Sequence, residues 1–130
     1  FTNDMLPKKK VVGNFYKKIF QSKNYFLTQK KLKNSIPVFW LNSLFFKDLN
    51  KKEVIKLAYA LEKKGIEVRS GFWPMSELKG FKSIYVKGKE KVSKNIFEKS
   101  LVLPSNVHLK YSDILKFKKE IDKNILKKAK

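Results

Sequence analysis

One stretch limits the folds open to this chain: Pro37-Val-Phe-Trp-Leu-Asn-Ser-Leu-Phe-Phe46 carries apolar side chains on both of its alternating faces. Such a run suits a strand covered on both sides, or nearly so, and that cover must come from packed helices or a second sheet. Amphipathic stretches on either side can supply it. Residues 7–22 read as a helix starting at Pro7, a residue suited to a first turn because it lacks the amide hydrogen left unpaired there. Val11, Phe15 and Ile19 share one face of that helix and Val12, Tyr16 and Phe20 widen it, with Gly13 unfavourable in the middle. A polar, lysine-rich connection from Gln21 to Ser35 follows.

After the apolar run, Asn50 and Glu53 have the spacing of a capping box, and Val54, Leu57, Ala58 and Leu61 form one apolar stripe. Gly65 ends that helix. Ile66 to Arg69 reads as a short strand, and Ser83 to Lys87 as another. A short helix over 91–99 is expected to turn Val92, Ile96 and Phe97 inward. Leu101-Val-Leu-Pro104 is a strand stopped by its proline. Ser112 can cap a last helix that buries Ile114, Phe117, Ile121 and Ile125. The pattern predicts an α+β fold, an α/β sandwich of helices on a small sheet. At 130 residues the chain is one domain, 1–130, with a leading helix over 7–22 and an α/β core over 36–130.

The formal charge of +20 raises the question of a nucleic-acid or other polyanion partner. Of the 31 basic residues only Arg69 is arginine, the side chain best suited to bidentate phosphate and base contacts. The lysines are scattered in pairs such as Lys17–Lys18, Lys51–Lys52, Lys63–Lys64 and Lys118–Lys119, without a dominant block. That distribution favours a solvated surface, with a lysine-rich polyanion-binding module as the alternative. The chain has no cysteine, which rules out disulfides and thiolate metal sites and fits a reducing, cytoplasmic setting. No stretch reaches the length of a membrane span and no export signal is visible. The sequence opens on Phe1, and the simplest expectation is a segment of a longer protein.

Catalytic groups are few. His108 is the only histidine, so a two-histidine metal motif is excluded, and no phosphate-cradling glycine motif occurs. The unusual segment is Gly65-Ile-Glu-Val-Arg-Ser-Gly-Phe-Trp-Pro74. It sets the single arginine at a strand end, just before an aromatic loop. Arg69 could offer its fork of donors to an anionic ligand, and Phe72 and Trp73 flat faces to a sugar or a base. From spacing alone the favoured reading is that Arg69 pairs with a carboxylate of the protein while the aromatics complete the core.

That segment resembles the C-terminal region of the DegT/DnrJ family of pyridoxal-phosphate-dependent nucleotide-sugar aminotransferases. In the family a helix ends in Gly-Ile, a strand ends in arginine and a loop of the form aromatic-x-Pro follows. Here those positions are Gly65, Ile66, Arg69, Phe72, Trp73 and Pro74. The family's later Leu-x-Leu-Pro-Ser run and Asp-Ile helix start are matched by Leu101-Val-Leu-Pro-Ser105 and Asp113-Ile114. The resemblance covers nearly the whole chain. Many members carry a histidine shortly after the loop proline; Ser76 stands about there.

The resemblance implies the small domain of a fold-type I aminotransferase that transfers an amino group to a nucleotide-linked keto-sugar, in amino-sugar and cell-surface polysaccharide biosynthesis. Pyridoxal 5'-phosphate would be held by a lysine of a large domain preceding this chain, so the chain alone would be inactive. Glutamate is the implied amino donor and a homodimer the implied full-length form, with no membrane partner. Arg69 would meet a carboxylate or phosphate of the substrate, and Phe72 and Trp73 would line the sugar-nucleotide channel.

Overall fold

The computed structural model of the chain describes residues 2–21, 25–27, 33–81 and 90–126. The elements are α1 (Thr2–Ile19), β1 (Tyr25–Leu27), β2 (Asn42–Phe46), α2 (Lys51–Glu62), β3 (Arg69–Ser70), α3 (Lys91–Glu98), β4 (Ser100–Leu103) and α4 (Tyr111–Leu126), with 3-10 turns at Met75–Glu77 and Lys79–Phe81. The strands form one sheet in the order β1-β2-β4-β3, each neighbouring pair antiparallel. The α+β reading holds. The strand expected at Ser83 to Lys87 lies outside the described residues.

Three helices cover one face of the sheet. Leu44 and Phe46 of β2 and Leu101 and Leu103 of β4 point into a core shared with α1, α2 and α4. Tyr16, Leu44, Phe46, Leu61, Ile114 and Ile121 are completely enclosed there. Each such side chain stabilises the fold by about 1.5–3 kcal/mol relative to exposure. The leading helix belongs to this core through Val12, Tyr16, Ile19 and Phe20, whereas Val11 is half exposed, so the buried stripe is narrower than its periodicity implies. α1 also starts earlier than expected and holds Pro7 inside it. Asp4 to Pro7 are all solvent-exposed.

The capping box of α2 is complete. Glu53 N donates to Asn50 Oδ1 at 3.1 Å, and Asn50 N donates to Glu53 Oε2 at 2.7 Å. Gly65 ends the helical turn at φ +73, a left-handed conformation that favours glycine.

Other boundaries differ from expectation. β2 begins only at Asn42, and Ile36, Val38 and Trp40 stand in solvent while Phe39 turns inward at φ +52. The left-handed residue breaks the alternation of the run, so its first half cannot join the ladder. β3 is shorter than the Ile66 to Arg69 strand, although Ile66 and Val68 are buried. β1, within the expected lysine-rich connection, pairs Tyr25 with Phe46 and Leu27 with Leu44. On α3, Val92 and Ile96 are exposed and Phe97 is half buried. Ser112 lies inside α4; the turn is closed instead by Asp113, whose Oδ2 accepts from Lys110 N at 3.0 Å.

Candidate functional site

Alternation along β3 sends neighbouring side chains to opposite faces of the sheet. Arg69 is paired in register with Val102, and Ser70 with Leu101. Leu101 belongs to the helix-covered core, so Arg69 and the buried Val102 face the opposite side of the sheet. There a cleft of about 530 Å3 is lined by Trp40, Arg69 and Phe72 together with Pro104, Ser105 and Asn106, which follow the central strand β4. Phe72 is 70% exposed and Trp40 68%. Two bare aromatic rings and a guanidinium in one cleft suit a flat or sugar-like ligand carrying an anionic group.

Arg69 Nη2 donates to Glu67 Oε1 at 3.1 Å, and both side chains are exposed. The two residues are two apart on an extended segment and so share a face. An exposed pair of this kind contributes little stability, about 0–1 kcal/mol. It does hold the guanidinium along the cleft wall, and an incoming anion can displace the carboxylate. Both of the roles open to Arg69 from the sequence thus remain compatible with its placement. The aromatics do not complete the core.

Of the three expected site residues, Arg69 and Phe72 come together in this cleft. Trp73 does not join them: it packs against Phe97 at 4.6 Å and lines a groove on the helix side of β3. Trp40 is the cleft residue that sequence reasoning missed, because the apolar run that contains it reads as a buried strand. Ser76 Oγ is buried and has no hydrogen-bond partner among the described residues. His108 stands exposed in a turn, where its backbone N donates to Asn106 Oδ1 at 2.9 Å. Among the described residues no cluster of histidine and acidic side chains could hold a metal ion, and no helix is long and apolar enough to cross a membrane.

The Leu-Pro-Ser run has a structural task at the cleft wall. Tyr16 Oη donates to Pro104 O at 2.6 Å, which fastens α1 to the end of β4. Ser105 Oγ accepts from both Asn42 N (3.1 Å) and Asn42 Nδ2 (3.2 Å) and donates to Leu103 O (3.1 Å). Lys9 Nζ bridges the carbonyl oxygens of Ser105 and Trp40. The wall and the Trp40 loop are therefore fixed to the same helix.

A pocket for pyridoxal phosphate would need a sheltered lysine beside a phosphate cradle. None of the described lysines is fully buried. The less exposed ones are committed elsewhere: Lys9 to the two carbonyls, Lys17 over the Phe39 ring, Lys99 to Lys47 O, and Lys118 to Asp122. These residues do not fit the cofactor.

The whole fold has counterparts among solved structures. A Streptococcus pneumoniae protein described as a sugar aminotransferase, in its apo form, superposes with a TM-score of 0.83 at 18% identity, over 98% of this chain and 33% of that one. TlmJ, an aminotransferase of Streptoalloteichus hindustanus, gives 0.76 at 10% identity, over 95% and 32%. PseC of Helicobacter pylori, an aminotransferase involved in the biosynthesis of pseudoaminic acid, gives 0.73 at 16% identity, over 92% and 32%. The chain thus spans about a third of the length of each. No curated protein sequence matches it. The sequence pattern of the DegT/DnrJ/EryC1/StrS aminotransferase family matches residues 2–121. With the match extending from α1 into α4, the chain belongs to the DegT/DnrJ/EryC1/StrS aminotransferase family.

Proposed function

We propose that this chain is the small, C-terminal domain of a pyridoxal-phosphate-dependent enzyme that transfers an amino group to a nucleotide-linked keto-sugar. The observation that carries the reading is the one cleft that Arg69, Phe72 and Trp40 line together. On this reading the cleft forms one side of a larger substrate site. Arg69 binds a phosphate or carboxylate of the sugar nucleotide through its fork of donors, and Phe72 and Trp40 flank the flat part of the ligand. The domain also shields that site from water. Trp73, beyond the strand, is left out of this contact.

The cofactor supplies the amino-transfer chemistry when bound. Its lysine belongs, on this reading, to a large domain outside this chain, and the isolated chain is inactive. Glutamate as donor, a cytoplasmic setting and a homodimeric whole enzyme complete the proposal.

Kinetics of the complete enzyme test it. Arg69→Ala and Phe72→Ala are expected to raise KM for the nucleotide sugar by about tenfold, the equivalent of 1.4 kcal/mol. The half-reaction with the amino donor should change far less. Unchanged KM and turnover in both variants would overturn the assignment.

A further inference from the structure

One face of α1 grips the cleft from the side away from any ligand. Lys9, Gly13 and Lys17 are spaced by four and so stand in a row along the helix. The Phe39 ring rests on Gly13, with Lys17 Nζ 4.7 Å from its centre. Lys9, at the end of the row, donates to Trp40 O at 3.2 Å and also to Ser105 O. Trp40 and Ser105 both line the cleft, and Lys9 is not part of that lining.

The two acceptors depend on Lys9 to different degrees. The Ser105 hydroxyl is already bonded to Asn42 and to Leu103 O, and Pro104 beside it accepts from Tyr16. Trp40 has no such support. Among the described residues, the bond from Lys9 is the only hydrogen bond it makes, and the residue is 68% exposed. The chain enters Trp40 from Phe39, at φ +52 against Gly13, and Lys9 holds the peptide by which it leaves.

Two carbonyl oxygens turned toward one ammonium also need its charge. Without it the two dipoles face each other with no donor between them, and they relax by moving apart or by taking up water. Trp40 is the looser member of the pair, so it is the one that moves.

We infer that Lys9 is a positioning residue for the cleft: it aims Trp40 at the ligand without touching the ligand. The inference rests on the reading of the cleft as a sugar-nucleotide site. A ring held in place before the ligand arrives has less freedom to lose on binding, which is how Lys9 acts on affinity.

Uridine diphosphate (UDP), titrated into the 130-residue chain, tests it. NMR follows the indole N–H of Trp40, assigned with Trp40→Phe, with the indole of Trp73 outside the cleft as reference. Without ligand, the heteronuclear NOE of each backbone amide reports how firmly that residue is held. Lys9→Met is expected to lower this NOE at Trp40, to leave it unchanged at Val102, and to raise the Kd for UDP by about fivefold from about 1 mM. Lys9→Arg keeps the donors and should stay within about twofold of the parent. Asn50→Ala removes the cap of α2, destabilises the fold outside the cleft and should change neither readout. A parental NOE at Trp40 or parental UDP affinity in Lys9→Met, or equal losses in Asn50→Ala, would overturn the role of Lys9. No saturable binding of UDP by the parent chain would instead overturn the reading of the cleft, and the NOE at Trp40 would still decide for or against Lys9.

Discussion

The ring of Phe39 lies directly on the α-carbon of Gly13: a methyl group placed there would stand 2.2 Å from the ring's Cγ. Lys17 Nζ, one turn further along α1, is 4.7 Å from the centre of the same ring. Glycine is poor in a helix interior, but only glycine lets the Phe39 ring approach this closely. The contact in turn holds Phe39 in its left-handed conformation and swings Trp40 out to the cleft.

Gly13→Ala should therefore destabilise the fold. Better helix propensity favours alanine by about 1 kcal/mol. Overlap at 2.2 Å forces the buried ring to move, and overpacking of this kind costs about 1–3 kcal/mol. The net loss should appear as a lower urea midpoint with little change in slope. A midpoint raised by the substitution would show that the ring can shift freely.

Tyr16 links pH to stability on the alkaline side. Burial pushes its phenol far above the ordinary value near 10, because the ionised form would be enclosed in the core. Below pH 10 both folded and unfolded chains keep the proton and Tyr16 adds no pH dependence. Above that value the unfolded chain loses its proton while the folded one retains it, so stability falls as pH rises. Tyr16→Phe should lose about 1–2 kcal/mol at neutral pH with the bond to Pro104 O, and should flatten the decline above pH 10. Urea titrations at a series of pH values check both effects.

Ser105→Ala removes an acceptor shared by two donors of Asn42, a residue only 1% exposed. Stranding buried donors costs about 1–3 kcal/mol, and the Asn42 amide should exchange its hydrogen faster than in the parent chain. Hydrogen exchange at that amide distinguishes local loosening of the cleft wall from a global loss of stability.

Helix α2 was legible because its signals are local: Asn50 and Glu53 close a box within one turn, and Gly65 follows. The first half of the apolar run was not, since Phe39 leaves the strand for a contact with Gly13 that lies far away in sequence. β1 is three residues long amid polar neighbours and has too few positions to show a period. Val92 and Ile96 have helical spacing but no layer to bury against. Local motif reading found Arg69 and Phe72. Trp40 enters the cleft only through the same long-range packing, and Phe72 and Trp73, beyond the end of β3 at Ser70, line different clefts although they are adjacent.

The most direct test of the central claim is reductive labelling: mix the 130-residue chain with pyridoxal phosphate, add borohydride, and map the modified lysines by mass spectrometry. The account predicts only weak, dispersed labelling of surface lysines, with one stoichiometric site appearing once a large domain is present, on a lysine of that domain. A single stoichiometric label on one lysine of this chain alone would contradict it.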